Sequence, residues 1–524
     1  MQSIRLIFLC LAVFTLINCG GSSGESSSSS SSGGGGSSSS SSSGGPGGSS
    51  VEKLSMEEYN ALPDNQKYIV MNKLMATLYK GVALKDFFDL SGGISNLVVR
   101  DGADTIGTIE ASMNEPLTNK ETYYDLVDEK YNFDTTSYWA GYKTQQYPSA
   151  VLFELPLSKD YFEFWVAYRL ANTILFSPAV ELESVDYVDI QRVMYRLTMM
   201  MEEGKSIQEI VYEHMISQEN WRRFRSPEDN TREMMEIFLA RFNDEEVPKA
   251  AIACKNWYLT DGGQDYQLVI DFNENTEPQD ILDTTVTTCY DFYQAVSTHA
   301  SLLPRIVSVL VDVFFTDYSD AEKSRFVTDI VATNPTTFQE IFKTIILSRE
   351  YLLNNDRAKK YEEAFFNVAH RITWFANRNY FRNLNRRPER TSFETLGDMK
   401  QEALAYKLGR SAEVPVDSLS FAFYHKSARE RVLIDLKRDE FNQNDGGWQA
   451  DFIDVPLDGD DFIQYLFLSV LSRTASTDEL TTLNNVIVNR GYDGNTLTDK
   501  QRQARIVLDY LSRLSELYFF RAVS

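Results

Sequence analysis

Along most of the chain apolar residues recur at steps of three and four, the period that lines one face of a helix. In QEIVYEHMI, Ile210, Val211, His214 and Met215 fall on one stripe. In QEIFKTIIL, Ile341, Phe342, Ile345 and Ile346 do the same. Helix-start signals precede many such runs. The pattern Ser/Thr-x-x-Glu/Asp satisfies two orphan backbone donors at a helix N-terminus. It stands at Ser206/Glu209, Ser226/Asp229, Ser319/Glu322, Thr337/Glu340, Thr391/Glu394, Ser427/Glu430 and Ser476/Glu479. Gly204, Pro178 and Gly409 supply stops. One segment departs from the helical period. NLVVRDGADTIGTIEAS carries two β-prone runs about Asp101-Gly102 and predicts a small hairpin or an irregular excursion.

The helical pattern also repeats. Ser206-IQEIVYEHMI-Ser217-QE and Thr337-FQEIFKTIIL-Ser348-RE share Gln, Glu, Ile, Ser and the final Glu at equal offsets. Each follows another amphipathic run, QRVMYRLTMMM or EKSRFVTDIVA. A weaker echo, STDELTTLNNVIVNRG then ARIVLDYLSRLSELYFF, closes the chain. Recurring helix pairs stack to share a core. The expected fold is all-α: an irregular assembly of repeated helix pairs, with a less regular N-terminal region holding a small β-hairpin.

The N-terminus reads differently. Ile4 to Ile17 is an apolar run behind Arg5, too short to span a bilayer and suited to a signal peptide. It ends in Leu16-Ile17-Asn18-Cys19, which resembles the lipobox of bacterial lipoproteins, with Asn18 where a small residue is usual. The resemblance implies a lipid on Cys19 and, because Gly20 is not Asp, an outer-membrane address. Residues 20–50 are nearly all Ser and Gly, a composition that predicts a disordered leash with a reach of about 30 Å. The expected organisation is a signal over 1–19, a linker over 20–50, a less regular region over 51–160, a central helical domain over 161–355 and a C-terminal helical region over 356–524.

Charge and cysteine content narrow the partners. The chain holds 75 acidic against 51 basic residues, a net charge of −24. Such a body argues against nucleic acid as a partner and against resting on anionic lipid. With Cys10 in the signal and Cys19 lipidated, Cys254 and Cys289 remain. In an oxidising envelope they are a disulfide candidate, worth ~3 kcal/mol through loop closure; the alternative is two buried thiols.

The densest polar cluster is SPEDNTREMMEIF, Ser226 to Phe238. Ser226 suits an N-cap, Pro227 the first helical position, and Glu228 and Asp229 the positive end of the helix dipole. Asn230 and Glu233 then share one face, Arg232 and Glu236 another. Onward to Trp257, NTREMMEIFLARFNDEEVPKAAIACKNW resembles the signature of an exported bacterial family catalogued as domain of unknown function 1800. The matching residues are Asn230, Arg232, Glu233, Glu236, Phe238, Val247, Ala250, Ala251 and Trp257, with Lys255-Asn256 where the family prefers Thr-Gly. The likeness runs from about 165 to 355. It implies export and a co-exported sulfatase- or phosphatase-like partner, and no particular reaction.

Familiar catalytic and metal-binding motifs are missing: no His-Glu-x-x-His, no Gly-x-Ser-x-Gly elbow, no phosphate loop, no haem-attachment motif. Neither a cofactor nor a metal is expected. The stretch His370–Arg390 mixes arginines with Trp374, Phe375, Tyr380 and Phe381, and Arg378, Arg382 and Arg386 follow i, i+4 spacing. Arginines beside aromatics suit phosphate, sulfate or carboxylate groups. Two functions are therefore weighed. One is a non-catalytic, lipid-anchored binding or scaffold protein for a partner protein or an anionic polymer, with Asn230, Trp257, Arg378, Arg382 and Arg386 as binding candidates. The other is an envelope hydrolase with Glu233, Glu236 and Arg232 as catalytic candidates.

Overall fold

Helices make up most of the computed structural model, which describes residues 51–131, 147–171, 173–175, 189–224, 226–241, 244–260, 266–376, 446–492 and 496–523. The protein is all-α, and its strands form only two-stranded antiparallel pairs among the described residues. The signal and Cys19, the Ser/Gly linker, the Arg378–Arg386 stripe and the start signals at Thr391 and Ser427 lie outside the described residues.

The five start signals that fall on described residues all open helices. Ser206 caps α9 (Ile207–Met215), Ser226 caps α11 (Pro227–Leu239), Ser319 caps α15 (Asp320–Ala332), Thr337 caps α16 (Phe338–Ile346) and Ser476 caps α20 (Thr477–Asn489). At all but Ser226 the acid three residues on bonds back to the cap's own N–H. For Ser206, its Oγ accepts from the Glu209 N–H at 3.3 Å and Glu209 Oε2 accepts from the Ser206 N–H at 2.8 Å. Each such cap contributes about 1 kcal/mol.

The repeat is structural as well as sequential. α8 (Asp189–Glu202) precedes α9 as α15 precedes α16. Where α9 ends, Ser217 Oγ donates to the His214 carbonyl at 2.7 Å and accepts from the Asn220 N–H at 3.3 Å, opening the short α10 (Gln218–Trp221). Where α16 ends, Ser348 Oγ donates to the Ile345 carbonyl at 2.8 Å and accepts from the Tyr351 N–H at 3.2 Å, leading into a π-helical turn, Glu350–Asn354. The copies touch: the Ile207 N–H donates to the Thr336 carbonyl at 2.9 Å.

The N-terminal region holds α1 (Met56–Ala61), α2 (Asp64–Thr77), α3 (Leu84–Phe87), α4 (Ile106–Ser112) and α5 (Lys120–Tyr131). Of the two alternatives for its β-prone stretch, no hairpin forms about Asp101-Gly102 and the segment is irregular. β2 (Val98–Val99) pairs backward with β1 (Phe88–Asp89), and the second run becomes α4. Thr105 caps that helix, and Ile106 and Ile109 sit one turn apart on its buried face. A local cap plus an i, i+3 apolar pair outweighs the strand preference of Thr and Ile. Unforeseen hairpins form instead at β3 (Trp257–Thr260) with β4 (Gln267–Ile270) and at β5 (Gln279–Ile281) with β6 (Thr284–Val286).

The remaining helices are α6 (Tyr147–Glu154), α7 (Lys159–Ala171), α12 (Glu246–Ala253), α13 (Cys289–Thr298), α14 (Leu302–Phe314), α17 (Tyr361–Arg371), α18 (Ala450–Ile453), α19 (Gly459–Leu471) and α21 (Leu497–Leu511). The core is aromatic: Trp165 of α7 meets the Phe342 ring edge-on at 5.2 Å, and Phe314 of α14 meets Tyr351 at 5.7 Å. Through it runs a buried polar chain. Arg357 of β7 (Arg357–Ala358) donates from both terminal nitrogens to Glu363 at 2.7 Å and also to the Tyr351 hydroxyl at 2.7 Å. That hydroxyl shares a 2.6 Å hydrogen bond with Thr77 of α2. The C-terminus returns to the same place, where β10 (Phe519–Phe520) pairs with β7. A last pair joins β8 (Trp374–Ala376) to β9 (Gly446–Trp448). Among the described residues no single helix is long and apolar enough to cross a membrane.

Candidate functional site

α11 carries the residues that the sequence singles out, and the fold divides them. Glu228 and Asp229 occupy its exposed first turn. Arg232 is exposed, 3.6 Å from Glu228 and one turn away from it. Asn230 points the other way. It is 0% exposed, and its Oδ1 accepts from the Tyr293 hydroxyl of α13 at 2.7 Å. Thr231 donates to the Pro227 carbonyl at 2.8 Å. Glu233 and Glu236 are half-buried on the flanks. Trp257 is 1% exposed, its ring 5.5 Å from Trp221, 5.8 Å from Tyr293 and 5.0 Å from Tyr290. A disulfide joins Cys254 to Cys289 beside it, tying the end of α12 to the start of α13. Asn230 and Trp257 thus belong to one interior cluster about Tyr293, while Arg232 faces solvent. The two described binding candidates, Asn230 and Trp257, are inside and the basic catalytic candidate Arg232 is outside, so α11 presents no common point at which a ligand meets all three.

The described histidines are likewise occupied. Burial beside Arg196 and Arg223 holds His214 well below the usual histidine range. His370 is stacked on Phe153 at 4.6 Å with Nε2 3.0 Å from the Phe153 carbonyl, and burial first, then Lys80, lowers it to about 3. His299 accepts from the Ser301 N–H at 3.0 Å through Nδ1.

A second polar region was not legible as one in the sequence. A cleft of about 250 Å³ opens between α2, the end of α17, the end of α19 and the C-terminal strand β10. Five cations line it, Lys73, Lys359, Arg371, Arg473 and Arg521, against one carboxylate, Glu516. This is the inverse of the chain's overall charge.

Each cation is placed by local structure. Lys73 lies on the buried length of α2 and donates from Nζ to the carbonyls of Asn355 at 2.5 Å and Arg521 at 3.3 Å. Lys359, half-buried after β7, donates to the Leu517 carbonyl at 3.1 Å. Arg371, the last residue of α17, crosses to the C-terminus of α19. There it donates to the carbonyls of Leu468 at 2.7 Å and Val470 at 3.1 Å and to Ser472 Oγ at 2.7 Å. α19 ends with Ser472 in the left-handed region (φ 58°); its N–H still reaches the Leu468 carbonyl at 3.1 Å, and Arg371 adds a second donor there and caps the Val470 carbonyl in the last turn. The buried Arg371 Nε has no acceptor. Arg473 is neutralised by Glu479, with two bonds of 2.9 Å, and by Glu516 at 2.9 Å. Arg521, 64% exposed at its side chain, stands 3.9 Å from Glu516. Among the described residues no carboxylate lies within 4.0 Å of Lys73, Lys359 or Arg371. Burial, then the Arg357 charge, lowers Lys73 to about 7. Burial, then Arg371, lowers Lys359 to about 7.

Cations that meet only carbonyl and hydroxyl oxygens keep their charge available to a ligand. The lining of the cleft is predominantly cationic, and no nucleophile–base pair stands among its lining residues. Two sequence signals pointed toward it. Lys73 interrupts the apolar run IVMNKLMATL, and Arg371 begins the arginine–aromatic stretch. Lys359 and Arg521 carry no local signal. No protein-family model, curated protein or solved structure matches the chain.

Proposed function

We propose that the protein is a lipid-anchored protein of the bacterial cell envelope, held by Cys19, that binds an anionic ligand without turning it over. One observation carries the reading. Lys73, Lys359 and Arg371 gather at one cleft of an otherwise acidic chain, with no carboxylate within 4.0 Å of them among the described residues. The signal-like run before Cys19 and the Ser/Gly tract after it support the address. So does the likeness of residues 165–355 to an exported family, which also suggests the acidic surface of a co-exported sulfatase- or phosphatase-like protein as one bearer of the anion. The test is retention of fluorescent dextran sulfate against neutral dextran at rising salt. Binding of the polyanion alone, weakening with salt, is expected. Equal retention of both would overturn the reading.

The hydrolase reading rests on Glu233 or Glu236 acting with Arg232. Arg232 turned toward Glu228, and Asn230 turned toward Tyr293, count against it. Glu233→Gln and Glu236→Gln proteins that fold normally and retain every phenotype of the parent remove it. Loss of a phenotype without loss of stability would restore it.

A further inference from the structure

We propose that the cleft between α2, α17, α19 and β10 is a binding site for a phosphate monoester, held by Lys73, Lys359, Arg371 and Arg521. The inference rests on the reading of the protein as an anion binder and names the group that the site reads.

Charge comes first. Arg473 and Arg521 are balanced by Glu479 and Glu516, which they contact at 2.9 and 3.9 Å. Lys73, Lys359 and Arg371 remain, three cationic side chains with no carboxylate within 4.0 Å among the described residues, carrying three positive charges once both lysines are protonated. Lys73 and Arg371 are both 3% exposed, and a buried charge without a counter-ion is costly. A phosphate monoester brings a charge of about −1.5 to −2 at neutral pH. A sulfate ester or a carboxylate brings one. The dianion leaves the site nearest to neutral.

Donors come second. An ammonium has three N–H groups. Lys359 spends one, on Leu517, and Lys73 spends two, on Asn355 and Arg521. Arg371 spends its terminal nitrogens on α19 and its Nε is buried, so it contributes charge and no donor. Two from Lys359 and one from Lys73 leave three donors for the three non-bridging oxygens of a phosphate monoester, with exposed Arg521 at the rim. Size comes third. A volume of about 250 Å³ admits a phosphate with one small ring attached, and excludes a folded polymer segment.

Proton balance supports the same ligand. Lys73 faces Arg357, Lys359, Asp356 and Glu350; Lys359 faces Arg371, Arg357 and Glu363. Both titrate near 7 in the empty cleft. A dianion between them keeps both protonated, so binding takes up protons and tightens as the pH falls from 8 toward 7.

The experiment is calorimetric titration of the protein with phenyl phosphate, phenyl sulfate and benzoate at equal ionic strength. Phenyl phosphate is expected to bind about tenfold tighter than the other two, and its affinity to fall about tenfold in Arg521→Ala and in Lys359→Met. Arg521 is exposed, so its variant keeps the parent's melting temperature. Phosphatidylcholine vesicles with and without phosphatidic acid separate the sources. Capture by the acid-bearing vesicles assigns the phosphate to a lipid, and binding of phenyl phosphate alone assigns it to a soluble ligand. Equal affinity for all three phenyl anions, or phenyl phosphate binding undiminished in both Arg521→Ala and Lys359→Met, overturns the proposal. Dextran sulfate retained while phenyl phosphate fails to bind sinks this site and leaves the anion-binding reading standing. Phenyl phosphate bound while dextran sulfate is not retained keeps the site and ends the polymer reading.

Discussion

Two buried arginines mark the ends of α17. At its start Arg357 meets Glu363 through two 2.7 Å hydrogen bonds, and Arg169 lies 3.7 Å from the same carboxylate. At its end Arg371, as deeply buried, meets two carbonyls and a hydroxyl. The residue type and the burial are the same, yet the consequences differ. A carboxylate in bidentate contact cancels the charge and fixes the geometry of the core. Carbonyl oxygens orient the guanidinium and leave its charge to act on whatever enters the cleft. Burial of a charge therefore does not by itself mark architecture or function; the partner decides.

The comparison can be broken most forcefully at Glu363. Glu363→Gln strands Arg357 in the core and is expected to cost about 3–5 kcal/mol in urea unfolding. Arg371→Met should cost about 1–3 kcal/mol, because it removes bonds only to neutral groups at the end of α19, where the Leu468 carbonyl keeps the Ser472 N–H. Equal losses would show that the two ends of α17 are built alike. Between these lies the disulfide. Cys289→Ser should cost ~3 kcal/mol by the same measurement, since a cross-link over 35 residues restrains the unfolded chain.

A pH scan sharpens the contrast further. Lys73 and Lys359 hold folded values of about 7, below the unfolded 10.5. The unfolded chain then binds more protons between those values, so the stability of the empty protein rises with pH from 7 toward 10 on their account. Glu479 acts in the same sense at lower pH. Arg473 above all holds it down at about 2, so its contribution is present above the ordinary carboxylate range and is lost as the pH falls toward 2. In Lys73→Met the rise between pH 7 and 10 shrinks while the acid limb stays; an unchanged basic limb would deny Lys73 its part. Arg232→Ala is the smallest perturbation, under about 0.5 kcal/mol, as an exposed ion pair contributes little. A large loss there would make α11 the more demanding region.

Much of the local architecture was legible. Ser206, Ser319, Thr337 and Ser476 announce their helices because a cap and its returning acid sit three residues apart, within reach of any prediction from sequence. The repeat announces its own junction, since Ser217 and Ser348 make the same pair of hydrogen bonds in both copies. At Thr105 strand preference misled, because a cap was read as part of a β-prone run. At α11 the separation of Asn230 from Arg232 onto different faces was legible, and which of those faces meets the core was not. Asn230 and Arg232 are two positions apart on a helix, which is enough to send one into the core and the other into solvent.

The sequence by itself determined the helical class, the starts of the helices and the pairing of neighbours along the chain, because those depend on residues within one or two turns of each other. Only the tertiary structure decided which charges are cancelled. Lys73, Lys359, Arg371 and Arg521 come from four separate elements, and the carboxylates that neutralise Arg357 and Arg473 are set against them by packing. A charge's effect depends on distance in space and on the water removed around it, and neither is written in the order of the residues.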